Sequence, residues 1–297
     1  MANNKVDPKY RKLIEQIKIE EENMMDEEMK PLYKEQKKSL DDIEVIIGAL
    51  FIKYAIDGLL KMNNAQKSDV GVKETLTTMG KKLGNLEIDK VTDILKKAYV
   101  ETYYKNAYTQ DIGIKIDLKF NILKKEYIAS AVNTEFKGKM FSDRIWSNKA
   151  DMIDKLQSSL IKCMQGETTI DKIAKDVKNT FNVQAYESKR LVNTENARVQ
   201  AQAIDDVGIN TNVTQQLFSA TLDNKTNEED ASYDGNIYDI NDDSKPIIPL
   251  HPNCRCCYIN IPYEGWSSTQ RKDNITKELI PNVSYSQWKT DRGVEEE

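Results

Sequence analysis

Histidine is nearly absent from this 297-residue chain: there is one, His251. No second imidazole is available as a general base of suitable pKa. Cysteine is scarce as well, with Cys163 isolated and Cys254, Cys256 and Cys257 crowded into four positions. Such a distribution cannot form a spaced disulfide framework, and it points to a reducing compartment. Long apolar runs are missing. VIIGALFI, at 45–52, falls far short of the roughly 20 residues a membrane-spanning helix needs, and Glu44, Lys53 and Asp57 border or follow it. The N-terminus, MANNKVDPKYRKLIEQ, has neither an apolar h-region nor a small-residue cleavage site, so export through a signal peptide is not expected. Basic charge is not in excess either: 43 Lys and Arg against 48 Asp and Glu give a formal charge of −5. That balance disfavours the whole chain as a duplex-DNA binder and leaves only local patches for such a role. One is the lysine-rich stretch 115–125; the other is Lys137, Lys139 and Arg144.

What is present is helical periodicity. The length suggests about two domains. Between 10 and 38 a highly charged segment carries Leu13, Ile17, Met24, Met25, Met29 and Leu32 at the spacing of a thin apolar stripe, and Pro31 is expected to kink or divide it. From 40 to 62, Ile43, Ile46, Ile47, Leu50, Phe51, Tyr54 and Leu59 follow the i, i+3, i+4, i+7 pattern of a core helix. Further helices are expected over 88–102, 118–137, 147–165 with a Ser147 cap and a Gly166 stop, 170–181 and 185–206. The character changes at Gly208. Short β-branched and aromatic runs then follow at 210–222, 235–240 and 256–263, separated by polar turns. Helices first and strands last predict an α+β fold, a mainly α-helical N-terminal region followed by a small antiparallel sheet packed on helices. Beyond Trp266 the Ser, Thr and Asn content and the closing GVEEE read as a loosely ordered or partner-dependent tail.

The chemistry-bearing stretch is LHPNCRCCYI, 250–259. A structural zinc site wants four donors, often as two close pairs. His251 and Cys254 make one pair, with Cys256 as a substitute. Upstream, DNKTNEEDASYDG offers no cysteine, only Asn227 and Asp230 at similar spacing, and an amide oxygen is a poor zinc donor. Zinc at His251, Cys254, Cys256 and Asp230, a reactive Cys254 or Cys256 beside His251, and a metal-free knot of packed thiols all remain open. In RLVNTENARVQ, Glu195 and Arg198 stand three residues apart, an ordinary intrahelical pair or, facing the sheet, a weld from Arg198 to a carboxylate such as Asp223 or Asp234. Gly235 after Asp234 most simply supplies the positive φ of a tight turn.

The order of these elements resembles the head-morphogenesis, or minor head protein, family of tailed phages, the Mu F-like proteins. Thr194, Glu195 and Arg198 match the family's T-E-x-x-R helix; Asp223, Lys225 and Thr226 match its strand end; Asp234 and Gly235 match its turn. His251, Pro252, Asn253, Cys254, Arg255 and Cys256 match the terminal HPNCRC. Asn227 and Asp230 stand where the family often has C-x-x-C, and Asn193 where an arginine is common. The resemblance covers roughly 150–262 and implies a helical adaptor over 1–145, the family domain over 146–265 and a tail over 266–297. It also implies a non-enzymatic minor capsid protein, found in the virion near the portal and in the host cytoplasm during assembly. The implied partners are the portal protein, the major capsid or scaffolding protein and, through the basic patches, packaged DNA; no membrane is involved. Two alternatives belong to other classes. One is a zinc-binding interaction module; the other is a phage effector enzyme using His251 and Cys254, disfavoured because only 41 residues follow the HPNCRC motif, too few for an appended catalytic unit.

Overall fold

Apolar residues at helical spacing dominate the first two thirds of the chain, and the computed structural model, which describes residues 10–114 and 123–292, is correspondingly helical there. In chain order the elements are α1 (Tyr10–Tyr54), β1 (Ala55–Ile56), β2 (Leu59–Leu60), α2 (Asn64–Asp69), α3 (Val72–Ile114) and α4 (Lys125–Val132). Then come α5 (Phe141–Met164), α6 (Ile170–Asn210), β3 (Gln215–Ser219), α7 (Glu228–Tyr233), β4 (Ile237–Asp239) and β5 (Cys257–Asn260). A hairpin of β6 (Gln270–Lys272) and β7 (Leu279–Pro281) and a last helix, α8 (Tyr285–Arg292), complete the α+β arrangement.

Several boundaries differ from those read in the sequence. Pro31 does not divide α1; Met25, Met29 and Leu32 around it are buried, and that apolar face outweighs the one missing N–H. The helix expected to reach residue 62 stops at Tyr54. A small hairpin follows, turning at Asp57 (φ 54°) and Gly58 (φ 77°), the Asp-Gly pair that a two-residue turn favours. α5 starts at Phe141, capped by no side chain, instead of at Ser147, because Phe141 and Ile145 are both buried in the core. The helices expected over 170–181 and 185–206 are one, α6.

The described residues divide into two compact units; three of the four dividing points fall inside α1, α3 and α6, and the fourth lies between α4 and α5. The first, called the helical unit, comprises 26–93 and 135–192. Its core is aliphatic: Ile43, Ile47 and Leu50 of α1 pack with Leu76 and Leu83 of α3, Leu156 and Leu160 of α5 and Ile173 and Val177 of α6. One buried ion pair, Lys149 with Glu87, joins α5 to α3 within it. The divisions expected at 145/146 and 265/266 are not the borders of these units.

The second, the mixed unit, takes the remaining described residues: 10–25, 94–114, 123–134 and 193–292. Its sheet has the order β4-β3-β5, antiparallel throughout, with Phe218 opposite Tyr258 and Leu217 opposite Ile259. One sheet face meets α6, where Phe218 and Tyr258 pack on Ala197, Ala201 and Ile204. Gly208 sits at the close approach: a Cβ there would lie 2.6 Å from Ile240 Cδ1 and 2.8 Å from Asn260 Oδ1, so a larger residue would have to displace an amide that Gln216 holds at 2.8 Å. The stretch 266–292, expected to be a loose tail, is folded into this unit. Tyr285 and Trp288 of α8 are buried with Leu222, and the Trp288 indole donates to Asp273 Oδ2 at 2.8 Å. Its strands, of three residues each, are too short to show an alternating pattern. GVEEE lies outside the described residues.

Candidate functional site

The sequence-singled residues converge at the end of β3, on α7, on the turn before β5 and on residues 193–198 of α6, all in the mixed unit. His251 to Cys254 is a reverse turn: the Cys254 N–H donates to the His251 carbonyl at 3.1 Å. Pro252 is its first central residue and Asn253, at φ 60°, its second, the pairing a type II turn prefers. α6 holds this turn in place. Asn253 N–H donates to Thr194 Oγ1 at 3.1 Å, and the Asn193 amide donates to Asn253 Oδ1, also at 3.1 Å.

Arg198 does not reach Asp223 or Asp234, the weld expected from the sequence. Its Nε donates to Glu195 Oε2 at 2.8 Å, and its Nη1 and Nη2 donate to the carbonyls of Ala131 and Val132 at 2.8 and 3.4 Å. The guanidinium therefore caps the C-terminus of α4, where exposed carbonyls and the helix dipole favour a cation. Both residues of the pair are buried, and the Glu195 carboxylate serves Arg198.

The two aspartates have other arginines. Arg255 of the HPNCRC stretch grips Asp223 with both Nη atoms, and Asp223 Oδ1 also accepts from the Lys225 N–H at 2.9 Å. Burial alone would push the Asp223 carboxyl up; Arg255 and the Lys225 N–H outweigh it and hold the group below the usual carboxylate range. Thr226 Oγ1 donates to the Thr221 carbonyl, and Thr221 Oγ1 to the Arg255 carbonyl at 2.9 Å, closing the loop after β3 on the strand leading into β5. The exposed Lys225 contributes its backbone N–H to this lock. Asp234 is more completely engaged. Its Oδ1 accepts from Ala220 N–H at 2.9 Å, its Oδ2 from Tyr285 N–H at 2.8 Å, and Arg271 bonds both oxygens. Gly235 has φ 86°, the left-handed value its turn requires. Arg271, Tyr285, Asp273 and Trp288 were not singled out in the sequence; the one available signal was the Tyr285/Trp288 spacing of three in the supposed tail.

Asn227 Oδ1 accepts from the Asp230 N–H at 2.8 Å and so caps α7. This presents Asp230, buried, to the turn, where its Oδ2 lies 2.9 Å from His251 Nε2. Burial would lower the imidazole's proton affinity, but Asp230 and the Pro252 carbonyl outweigh it and raise the His251 pKa above its ordinary value. Asp230, His251 and Cys254 each offer one ligand atom, and these lie within 4.8 Å of one another. Cys256, expected as a further ligand, is not in this cluster. It and Cys257 instead line a small cavity with Ala197, Ala201 and Ile204. Cys254 is only 3% exposed, and no cysteine of the described residues is in a disulfide. Of the basic patches, Lys137 and Lys139 are exposed beside Arg144 in the helical unit; 115–122 lies outside the described residues. Among the described residues no helix is long and apolar enough to cross a membrane.

Residues 154–259 match the family described as Phage Mu protein F like protein. The chain is 21% identical to the minor head protein GP7 of Bacillus phage SPP1, over 90% of this chain and 93% of that protein. It is also 24% identical, over 209 residues, to a protein of Enterococcus faecalis named NAD(+)--arginine ADP-ribosyltransferase EFV; that match takes in 64% of this chain and 42% of the relative's length. No solved structure matches. The Mu F-like match over 154–259 and the near full-length likeness to a minor head protein together support a place for this chain among the phage minor head proteins.

Proposed function

We propose that this protein is a minor component of a tailed-phage head that acts with the portal while the procapsid is built. The observation that carries the reading is the alignment with the SPP1 minor head protein over 90% of this chain, which supports a role in head morphogenesis. The site is consistent with it. The three arginines of the constellation each fasten one backbone segment to another: Arg198 to the end of α4, Arg255 to the loop after β3, Arg271 to the start of α8. Polar groups spent on holding loops make a rigid surface for docking; they do not leave a nucleophile and a base facing an open cleft. In this reading the helical unit meets portal, shell or scaffolding protein, and the exposed Lys137 and Lys139 with Arg144 offer contact to packaged DNA that weakens steeply with salt.

Co-expression with the portal protein of the same genome, followed by particle purification, tests the assignment. Recovery of the chain with portal rings or in finished heads is the expected outcome. A chain found only as free monomer, absent from particles, would remove it. A second reading, an effector enzyme, draws on the name of the enterococcal relative, of whose length this chain spans 42%. Transfer of label from NAD to arginine-containing acceptors by the purified chain would favour it; the near-complete burial of Cys254 stands against His251 and Cys254 as its reactive pair.

A further inference from the structure

His251 faces Asp230 through two atoms that both accept. Nδ1 of the ring lies 2.9 Å from the Pro252 carbonyl oxygen, and since a carbonyl only accepts, Nδ1 carries the proton. In the neutral ring Nε2 is then a bare lone pair, 2.9 Å from a carboxylate oxygen of Asp230. Lone pairs at that distance repel unless positive charge joins them, either a second proton on the ring or a metal ion.

Two further observations point to the metal. The Cys254 sulfur approaches the same point, within 4.8 Å of both other ligand atoms, because the His251–Cys254 turn places the two side chains together. The other Asp230 oxygen, Oδ1, is buried and has no hydrogen-bond partner. A proton on His251 satisfies Oδ2 and leaves Oδ1 unmet; a cation shared by the carboxylate serves both. The Nδ1–H···O=C bond also fixes the tautomer and ring orientation in the way that a metal-binding imidazole needs.

We propose that Asp230, His251 and Cys254 form a zinc site that ties α7 to the turn before β5. Imidazole, thiolate and carboxylate together suit zinc, whereas magnesium and calcium take all-oxygen shells. Around four-coordinate zinc such donors sit roughly 3.3–3.7 Å apart, so the present spacing closes on an ion with side-chain adjustments alone. Cys254 releases its thiol proton to solvent on binding, and Asp230 Oδ1 is available to complete the shell. Cys256 takes no part. This inference stands independently of the head-assembly reading, since it concerns three side chains of one folded unit.

The test uses the full chain, stripped with chelator and confirmed as folded by circular dichroism. Zinc added back is expected to bind at one ion per chain and to raise the melting temperature. Cobalt(II) in its place is expected to give the visible bands of a tetrahedral ion and a near-ultraviolet thiolate-to-metal band. Cys254→Ser removes the thiolate band and Cys256→Ser keeps it. Less than a tenth of an ion per folded chain, with no cobalt bands, overturns the proposal, and needs no variant to fold. So does a thiolate band that survives Cys254→Ser and disappears in Cys256→Ser.

Discussion

In the helical unit the Lys149–Glu87 pair is an exception within an aliphatic core, whereas in the mixed unit charged side chains hold nearly every loop at the site. The two kinds of buried pair do different work. Lys149 and Glu87 mainly serve each other: burial drives the lysine's pKa down, Glu87 opposes this, and Glu87 Oε1 finds no partner. Asp234 and Arg271 also satisfy four backbone groups, the N–H of Ala220 and of Tyr285 and the carbonyls of Ala220 and Val283. Replacing a pair by apolar residues removes the ions' desolvation cost in either unit. Only in the mixed unit does it also orphan buried backbone.

The largest effect follows from breaking that lock on one side. Asp234→Ala leaves the Arg271 guanidinium buried and without its carboxylate, and is expected to cost about 3–5 kcal/mol in urea denaturation. Glu87→Ala strands Lys149 and is expected to cost a similar amount. The double replacements separate the units. Glu87→Leu with Lys149→Met is expected to be neutral or stabilising by roughly 1–4 kcal/mol. Asp234→Leu with Arg271→Met is expected to remain destabilising, by about 1–3 kcal/mol in all, because buried backbone groups are left unmet. Equal outcomes for the two double variants would erase the distinction between the units.

Acid sharpens the same contrast. Asp223 and Asp273 are both held below the ordinary 3.8 although burial alone would raise them: Asp223 by Arg255 and the Lys225 N–H, Asp273 by the Trp288 indole, backbone N–H groups and Arg292. For a carboxyl whose folded pKa is depressed, the stabilisation is complete above the unfolded value and disappears as pH falls through the folded one. Both groups belong to the mixed unit. Acidification below about pH 4 should therefore release Trp288 before the helical unit loses its ellipticity. Fluorescence of a Trp146→Phe variant, which removes the helical unit's tryptophan, compared with far-ultraviolet circular dichroism checks it; coincident transitions would contradict it.

What the sequence disclosed follows the same division. Helices could be read where apolar periodicity is long, and the three strands of the main sheet fall within the expected runs. HPNCRC stood out because the one histidine is crowded with cysteines there, and Pro252 and Asn253 fix the turn that brings His251 and Cys254 together locally. Pairing over distance could not be read. Arg198, Arg255 and Arg271 were equally eligible partners for Asp223 and Asp234, and the choice depends on where α4 ends and on a C-terminal segment whose strands, Gln270–Lys272 and Leu279–Pro281, carry no alternation. Cys256 stood by spacing as a substitute for Cys254, but lies beyond the turn that aims Cys254 at Asp230.

The smallest effect compares two asparagine caps. Asn63 caps α2 in the helical unit, its side chain accepting from Gln66 N–H at 2.9 Å within a reciprocal capping box; Asn227 caps α7 in the mixed unit through Asp230 N–H at 2.8 Å. Both helices have six residues, and the bond lost on substitution by alanine is chemically the same, about 1 kcal/mol in either helix. The consequence differs because α2 has no buried residue, whereas α7 carries Asp230 into the cluster with His251. Asn63→Ala can fray locally and is expected to change global stability by no more than roughly 0.5 kcal/mol. Asn227→Ala cannot fray without withdrawing Asp230, so its full cost of about 1 kcal/mol should register in global unfolding. Hydrogen exchange checks this: the α2 amides should speed up alone, while those of α7 should speed up together with Asn253, whose N–H rests on Thr194 in the same turn as His251. Matching costs for the two variants would mean that α7, like α2, is an independent surface turn.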